Sequence, residues 1–447
     1  MEQSIFKSYD IRGVYPSELN EAAAFEVGRA FVRHTKSKSV VIGQDARISS
    51  PALFMAFAAG VQTEGGQIHD IGQVPTEYVY FVLGSYNFDS GIMITASHNP
   101  KEYNGFKMMK RAGSDIQIVR GQDFLFMIGN SPITKIIENK NQIIKEDFWK
   151  DYLKHILSLV DLSEIVPLKV VVDASNGVAG HVVLKIQDKL PAEIIPLNFE
   201  PDGNFPNHAP NPLLEGSADQ IKELIKKEKA DFGLMFDADA DRIFLVDENG
   251  RLVPADLVLL LLAKYFLQKN PGMAVAYNLI CSKSLPIFIK KYGGVPIKTQ
   301  VGFVNVRDGL LKNNGIMGGE LSGHYCFKDN FYMDSGMIAL LTLLVIFSKD
   351  RRKVSEIVQE LSIYAKTDYN FELENKAEVI DKVKEKYSDG KQDYLDGVTV
   401  EYKDWWFNIR PSNTEPLLRL TIEADSQEIL DEKLKEAKDF VNKIAKK

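Results

Sequence analysis

Cysteine is scarce. Cys281 and Cys326 are the two in 447 residues, too few for a disulfide framework and without metal-ligand spacing, which suits reduced core thiols rather than a nucleophile. Long apolar runs are also lacking. The longest, Gly336 to Phe347, is interrupted by Thr342, and Leu257 to Ala263 is shorter still; both fall below the roughly 20 residues of a membrane span, so no membrane partner is expected. Met1-Glu2-Gln3-Ser4 has none of the basic, apolar, small-residue order of a signal peptide, and a cytoplasmic location is expected. Basic charge is not in excess. With 54 Lys and Arg against 61 Asp and Glu the net charge is −7, which argues against nucleic acid as a partner while leaving a small anion free to bind locally. The glycine-rich dinucleotide fingerprint, the Walker loop and His-Glu-x-x-His are all missing, so those chemistries have no motif support.

What is present begins with Thr95-Ala96-Ser97-His98-Asn99-Pro100. The apolar run Gly91-Ile92-Met93-Ile94 before it reads as a strand covered on both faces. Asn-Pro stops that strand, leaving Ser97 near its carboxyl end, where open α/β sheets bind ligands. Ser-His in a loop is by itself an ordinary polar turn. A second motif, Asp237-Ala238-Asp239-Ala240-Asp241-Arg242, lies between the apolar runs Leu234–Phe236 and Ile243–Val246. In an extended segment the period of two places Asp237, Asp239 and Asp241 on one side. Three such carboxylates repel one another unless a cation sits among them, and hard oxygen ligands favour Mg²⁺. The alternatives are a solvated acidic turn, or Asp239 or Asp241 spent on Arg242.

A chain of this length forms about three or four domains. Strand, turn and helical pattern recur from Val40, Val170 and Ala274; in the first and third, the helix ends at Gly65-Gly66 or Gly293-Gly294 and the next strand closes at Gly72 or Gly302. Polar residues from Asn130 to Lys145, the Asn249-Gly250 turn and Lys366 to Asn370 suggest linkers. The expected domains are 1–145, with the serine loop; 146–249, with the acidic loop; 250–365; and 366–447. The last carries strands near Val398–Val400 and Leu418–Thr421 and a final helix, and reads as a smaller α+β domain.

Further constellations point to anions and sugars. Tyr9-Asp10-Ile11-Arg12-Gly13 lets a backbone and a guanidinium approach one oxyanion. Gly43-Gln44-Asp45-Ala46-Arg47 is either another anion-facing turn or a structural ion pair. Arg410-Pro411-Ser412-Asn413-Thr414-Glu415-Pro416 gathers a fixed charge, two hydroxyls and an amide between prolines, a donor set for a phosphate dianion, or is a proline-rich loop with an arginine at its rim. Gly318-Gly319-Glu320-Leu321-Ser322-Gly323-His324 offers a carboxylate and a hydroxyl to vicinal sugar hydroxyls; His324 alone reads as packing.

In this order the motifs, with Asn104-Gly105-Phe106-Lys107, resemble the α-D-phosphohexomutase family, in its phosphomannomutase/phosphoglucomutase branch, over nearly the whole chain. The resemblance implies an α/β fold of three similar domains and a carboxyl-terminal α+β domain related to the TATA-box-binding protein, arranged around a central cleft. It implies a phosphoryl group on Ser97, Mg²⁺ held by that phosphate with Asp237, Asp239 and Asp241, and interconversion of hexose 1- and 6-phosphates through a sugar bisphosphate. Arg12, Lys107 and His98 would be the catalytic cations and proton-handling groups. Arg242, Glu320, Ser322 and Lys283 would contact the sugar phosphate, and Arg410, Ser412, Asn413 and Thr414 the phosphate that does not react. Two departures affect substrate range: Phe303 stands where many members carry histidine, and Ile280 where they carry lysine, with Lys283 nearby as a substitute. Phosphoglucosamine or a phosphopentose is therefore an alternative substrate, a binding protein without turnover a more distant one, and either a monomer or a homodimer is compatible with the sequence.

Overall fold

Strand Ser90–Ile94 is buried at every residue, as expected of a short apolar strand covered on both faces. It pairs in parallel with Ser39–Gln44, which pairs in parallel with Gln67–Gln73, and it is flanked on its other side by antiparallel Tyr103–Ala112. Strand Ile11–Val14 adds to that last strand, placing Arg12 opposite Gly105. The same parallel order recurs around Lys169–Asp173, between Glu193–Leu197 and Phe232–Phe236, with Ile243–Val246 added antiparallel. It recurs again around Ala274–Asn278, between Val295–Thr299 and Met317–Gly319. Helices Ser50–Thr63, Ala179–Ile186 and Ser284–Lys291 follow the first strand of each set, so the internal repeat read from the sequence is a repeat of sheet topology.

The computed structural model describes residues 2–128, 142–412 and 417–445. It divides into two compact units, one of residues 1–255 with 322–355, the other of 256–321 with 356–447. Helix Gly336–Lys349, the longest apolar run, belongs to the first unit and is almost wholly buried. Among the described residues no helix is long and apolar enough to cross a membrane. Cys281 and Cys326 are buried and share no disulfide.

The second unit ends in a five-stranded antiparallel sheet, in the order Ala365–Glu372, Leu417–Ala424, Trp405–Pro411, Val398–Glu401, Lys391–Asp393. Alternation assigns its faces. Phe407, Ile409, Leu418, Leu420 and Ile422 pack with Val379, Val383, Leu430, Ala437 and Val441 of helices Lys376–Lys386 and Gln427–Ala445. The opposite side chains, Trp406, Asn408 and Arg410, are polar and still buried. Lys366 to Asn370, expected as a linker, is instead part of the first strand of this sheet. Its polarity misled because Lys366 and Asp368 sit on the polar face, where Lys366 Nζ meets Asp256 Oδ2 at 2.9 Å and Asp368 accepts from Thr421. The first of the three linker expectations, Asn130 to Lys145, falls mostly outside the described residues; Ile143–Lys145 forms a short strand beside Gln67–Gln73.

Glu77, on helix Thr76–Ser85, is buried among the Tyr152 hydroxyl, Ser335 and the Met337 amide, with Asp334 adding negative charge. Burial outweighs the hydrogen bonds and pushes its pKa from 4.5 up to about 8. Between those values the folded state holds a proton that the unfolded chain has released, so stability falls as pH rises through that window. The melting temperature of the wild type should fall more between pH 6 and pH 9 than that of Glu77→Gln. Parallel pH profiles for the two would show that this carboxyl is already ionised in the folded protein.

Candidate active site

The first unit places the serine loop beside the acidic loop. Past the end of strand Ser90–Ile94 the chain turns, and Ser97 takes φ +50, a left-handed conformation uncommon for a side-chain-bearing residue. Its amide donates to Thr95 Oγ1 at 2.8 Å, and the Thr95 hydroxyl donates to Asp45 Oδ2 at 2.7 Å. Ser97 Oγ donates to Asp237 Oδ2 at 2.7 Å and lies 3.3 Å from His98 Nδ1. Burial, then Arg242 and Arg12, holds the His98 imidazole well below its usual range, so its ring is neutral near pH 7. Asp45 and Arg47, open between two readings in the sequence, form a buried ion pair.

The acidic residues do not sit on an extended strand. Asp237 to Asp241 make the turn of the hairpin between Phe232–Phe236 and Ile243–Val246, with Ala240 at φ +61. The three carboxylates converge because the turn curls them inward, and one oxygen from each lies within 4.8 Å of the others. Gly177 backs the turn. A Cβ there would lie 2.3 Å from Ala238 O and 2.6 Å from its Cα, and the Val178 amide donates to that oxygen at 3.0 Å.

All three aspartates are buried. Burial, then the neighbouring Asp239 and Asp241, pushes Asp237 well above the carboxylate range. Burial would also raise Asp239, but Lys107 and Thr76 hold it below that range. Lys107 Nζ meets Asp239 Oδ2 at 2.6 Å and also pairs with Asp241; Thr76 Oγ1 donates to Asp239 Oδ2 at 2.6 Å. Asp239 Oδ1 and Asp241 Oδ1 are buried without a hydrogen-bond partner among the described residues. Buried carboxylate oxygens stay unbonded only at a cost, unless something not made of protein binds them. Their convergence and hard-oxygen chemistry fit a Mg²⁺-like cation.

Cations rim the same place. Arg12 Nη1 donates to Asn99 Oδ1 at 2.5 Å and its guanidinium pairs with Asp10, while Arg12 Nε is buried without a partner among the described residues. Arg242 Nε lies 3.7 Å from Asp237 Oδ2 and donates to His324 Nε2 at 3.0 Å. His324 Nδ1 is 2.5 Å from Asp334 Oδ2, which fixes the tautomer that leaves Nε2 as acceptor. His324 is therefore part of the polar cluster, where the sequence suggested packing. Thr76 and Asp334 carry no signal in the sequence, since each reaches the site only through tertiary contact; Asn99 belongs to the serine motif, but its contact with Arg12 is tertiary.

The expected sugar and phosphate residues are divided between the units. Ser322 and His324 belong to the first, and Glu320, Lys283, Arg410 and Ser412 to the second. Glu320 Oε2 accepts from the Gly302 amide at 3.1 Å and from Asn278 Nδ2 at 3.3 Å. Its charge and that of Asp396 act on Arg410, which burial and Arg419, its cross-strand partner, hold below the usual guanidinium range. Ser412 closes the strand pair by donating its amide to Leu417 O at 2.8 Å. The Lys283 amide donates to Glu423 Oε1 at 2.9 Å, just before helix Ser284–Lys291. Ile280 is buried, and Phe303 opens helix Phe303–Lys312 after Gly302 at φ +120. Asn413 and Thr414 lie outside the described residues.

Comparison with known proteins agrees with this arrangement. Residues 3–119, 150–250 and 254–364 match alpha/beta/alpha domains I, II and III of phosphoglucomutase/phosphomannomutase, and 369–439 match its C-terminal domain. The chain is 37% identical over 426 residues to the phosphohexose mutases of Xanthomonas campestris pv. campestris, covering 94% of each chain, and 35% identical over 430 residues to the phosphomannomutase of Escherichia coli K12, again 94% of each. A crystal structure of a phosphoglucomutase/phosphomannomutase family protein from Burkholderia thailandensis superimposes with TM-score 0.87 at 33% identity, covering 100% of this chain and 98% of that one. With all four domains in order, the chain belongs to the phosphoglucomutase/phosphomannomutase family of the α-D-phosphohexomutase superfamily, and its chemistry is of the phosphohexomutase type.

Proposed function

We propose that the protein interconverts the 1- and 6-phosphates of mannose, glucose or both, through a phosphoserine at Ser97 and a sugar bisphosphate. The observation that carries this reading is Ser97 Oγ at 2.7 Å from Asp237 Oδ2, within a buried carboxylate cluster in which Asp239 Oδ1 and Asp241 Oδ1 have no hydrogen-bond partner among the described residues. The phosphoryl group on Ser97 passes to the substrate's free hydroxyl: the bond from phosphorus to Oγ breaks, the bond to the sugar oxygen forms, and the proton released by the sugar hydroxyl is balanced by the one that restores the Ser97 hydroxyl. The bisphosphate reorients and its other phosphoryl group returns to Ser97, so no nucleotide is consumed.

Transfer of this kind is mostly alignment and charge neutralisation. A Mg²⁺ held by Asp237, Asp239, Asp241 and the phosphoserine would neutralise phosphoryl charge. Arg12 and Lys107 add fixed positive charge, with the open Arg12 Nε as a ready donor. The neutral His98, 3.3 Å from Ser97 Oγ through Nδ1, would orient that oxygen rather than store a proton, since burial and the two arginines oppose its protonation. Arg242, Glu320, Ser322 and Lys283 would read the sugar. Arg410, Ser412, Asn413 and Thr414 would hold the distal phosphate, whose binding orients the reacting end.

Phe303 and Ile280, apolar where many relatives carry basic residues, favour a second reading of the same chemistry on phosphoglucosamine or a phosphopentose. A substrate panel, run with the matching bisphosphate as activator, separates the two. Preference for hexose phosphates, with a stoichiometric phosphate located on Ser97 by intact mass and peptide mapping, supports the first. Preference for the amino sugar or pentose supports the second, and binding without isomerisation of any substrate overturns both.

A further inference from the structure

One side chain in the first unit directs four of its five N–H donors at the serine loop without reaching the reacting atoms. Arg47 is fully buried. Its Nη1 donates to Pro100 O at 2.7 Å and Tyr103 O at 2.9 Å, its Nη2 to Ser97 O at 2.7 Å and Asn99 O at 2.6 Å, and its Nε to Asp45 Oδ2 at 3.1 Å. A guanidinium has five N–H donors. Every one is used here, four of them on carbonyls of a single turn. Asp45 is similarly filled. Its Oδ1 accepts from the Arg47 amide and from Ser50 Oγ, both at 2.9 Å, and its Oδ2 also takes the Thr95 hydroxyl that supports the Ser97 amide. Ser97 is thus gripped at its carbonyl by Arg47 and at its amide through Thr95 and Asp45. That double hold explains how an uncommon φ of +50 persists at the nucleophile position.

The face of the Arg47 guanidinium and the backbone on either side of Arg47 meet the turn Asp202-Gly203-Asn204-Phe205, which lies in the repeat that also carries the acidic loop. The guanidinium carbon is 5.2 Å from the Phe205 ring centre. Gly203 is seated on the Arg47 turn so closely that a Cβ would lie 2.5 Å from Ala46 O and 2.6 Å from Ile48 N, both backbone. The Asp202 amide donates to Asn176 O at 2.9 Å, and the next residue, Gly177, is the glycine pressed against Ala238 in the acidic loop. Covalent chain and close contacts therefore run without a break from Ala238 through Asn176–Gly177 and Asp202–Phe205 to Arg47 and the Ser97 carbonyl.

We propose that Arg47 and the Asp202–Phe205 turn form a brace that sets Ser97 against the carboxylate cluster, with Arg47 acting as a positioning residue. The inference rests on Ser97 being the phosphoryl carrier. A lysine has three donors on one nitrogen and cannot span four carbonyls and a carboxylate. A misplacement of about 1 Å costs roughly 10²-fold in rate, so Arg47→Lys should lower kcat by about 10²-fold with KM within about 3-fold.

The test measures kcat, KM, melting temperature and backbone hydrogen exchange of the Mg²⁺-loaded wild type and of Arg47→Lys. The brace is supported if kcat falls, KM holds, and exchange speeds up in residues 95–103 while strand Ser39–Gln44 stays protected. A folded variant with unchanged kcat overturns it, as does a KM that rises in step with the fall in kcat. If Arg47→Lys does not fold, Phe205→Leu keeps apolar bulk and removes the aromatic face; it should lower kcat by about 3- to 30-fold, the range of a cation–π contact, and unchanged kcat in that variant overturns the brace. A wild type that isomerises no sugar phosphate defeats the proposed function instead, and hydrogen exchange still decides whether Arg47 holds the loop.

Discussion

Ser97→Ala should lower kcat for hexose phosphate isomerisation by about 10⁴-fold or more, the scale seen when a covalent nucleophile is removed. The fold should survive. The left-handed φ is shared by alanine, the grip on the backbone of the turn does not involve the hydroxyl, and the loss is one hydrogen bond to Asp237, worth about 0.5–1.5 kcal/mol. A coupled assay with bisphosphate activator gives the rate, and intact mass gives the second half of the expectation: the wild type gains one phosphoryl group and the variant none. A variant that retains a tenth of wild-type activity, or that takes up phosphate elsewhere with full turnover, removes Ser97 from the mechanism.

The second large effect concerns the cation. Asp237→Asn keeps the shape and a hydrogen-bond acceptor for Ser97 but removes one charged oxygen from the cluster. Outer partners of metal ligands alone are worth about 10- to 100-fold in metal affinity, so losing a ligand should raise the Mg²⁺ concentration for half-maximal activity by at least that much. Chelation should abolish turnover in the wild type and Mg²⁺ should restore it. The variant should also fold at least as well as the wild type without metal, because a buried carboxyl whose neighbours are Asp239 and Asp241 is under electrostatic stress that an amide escapes. Full activity in chelator, or an unchanged Mg²⁺ requirement in Asp237→Asn, would falsify the cation site.

Much of the fold was legible because its signals are local. Strand Ser90–Ile94 followed from a short apolar run ended by a polar turn and Asn-Pro, and the three-fold repeat followed from strand, turn and helical pattern recurring in one order, with a glycine-pair helix stop in the first and third. The failures have one cause. Lys366 to Asn370 is polar as a linker would be, but its charges pair on the buried polar face of a sheet. The acidic loop was expected to gather its carboxylates by strand period and does so by a turn. His324 looked like a packing residue until Arg242, far earlier in the chain, donated to it.

The order of motifs and the residue types in them, written in contiguous segments, determined by themselves the family and its phosphohexomutase-type chemistry, and put forward the serine and the three aspartates as the candidates. Tertiary structure alone decided how those groups meet: Ser97 against Asp237, Lys107 across two aspartates, Thr76 on Asp239, and Arg47 on four carbonyls. The reason is physical. Strand, turn and helix signals depend on neighbours a few residues apart, whereas hydrogen bonds and charge pairs among residues distant in the chain depend on how sheets and loops pack, which no local pattern encodes.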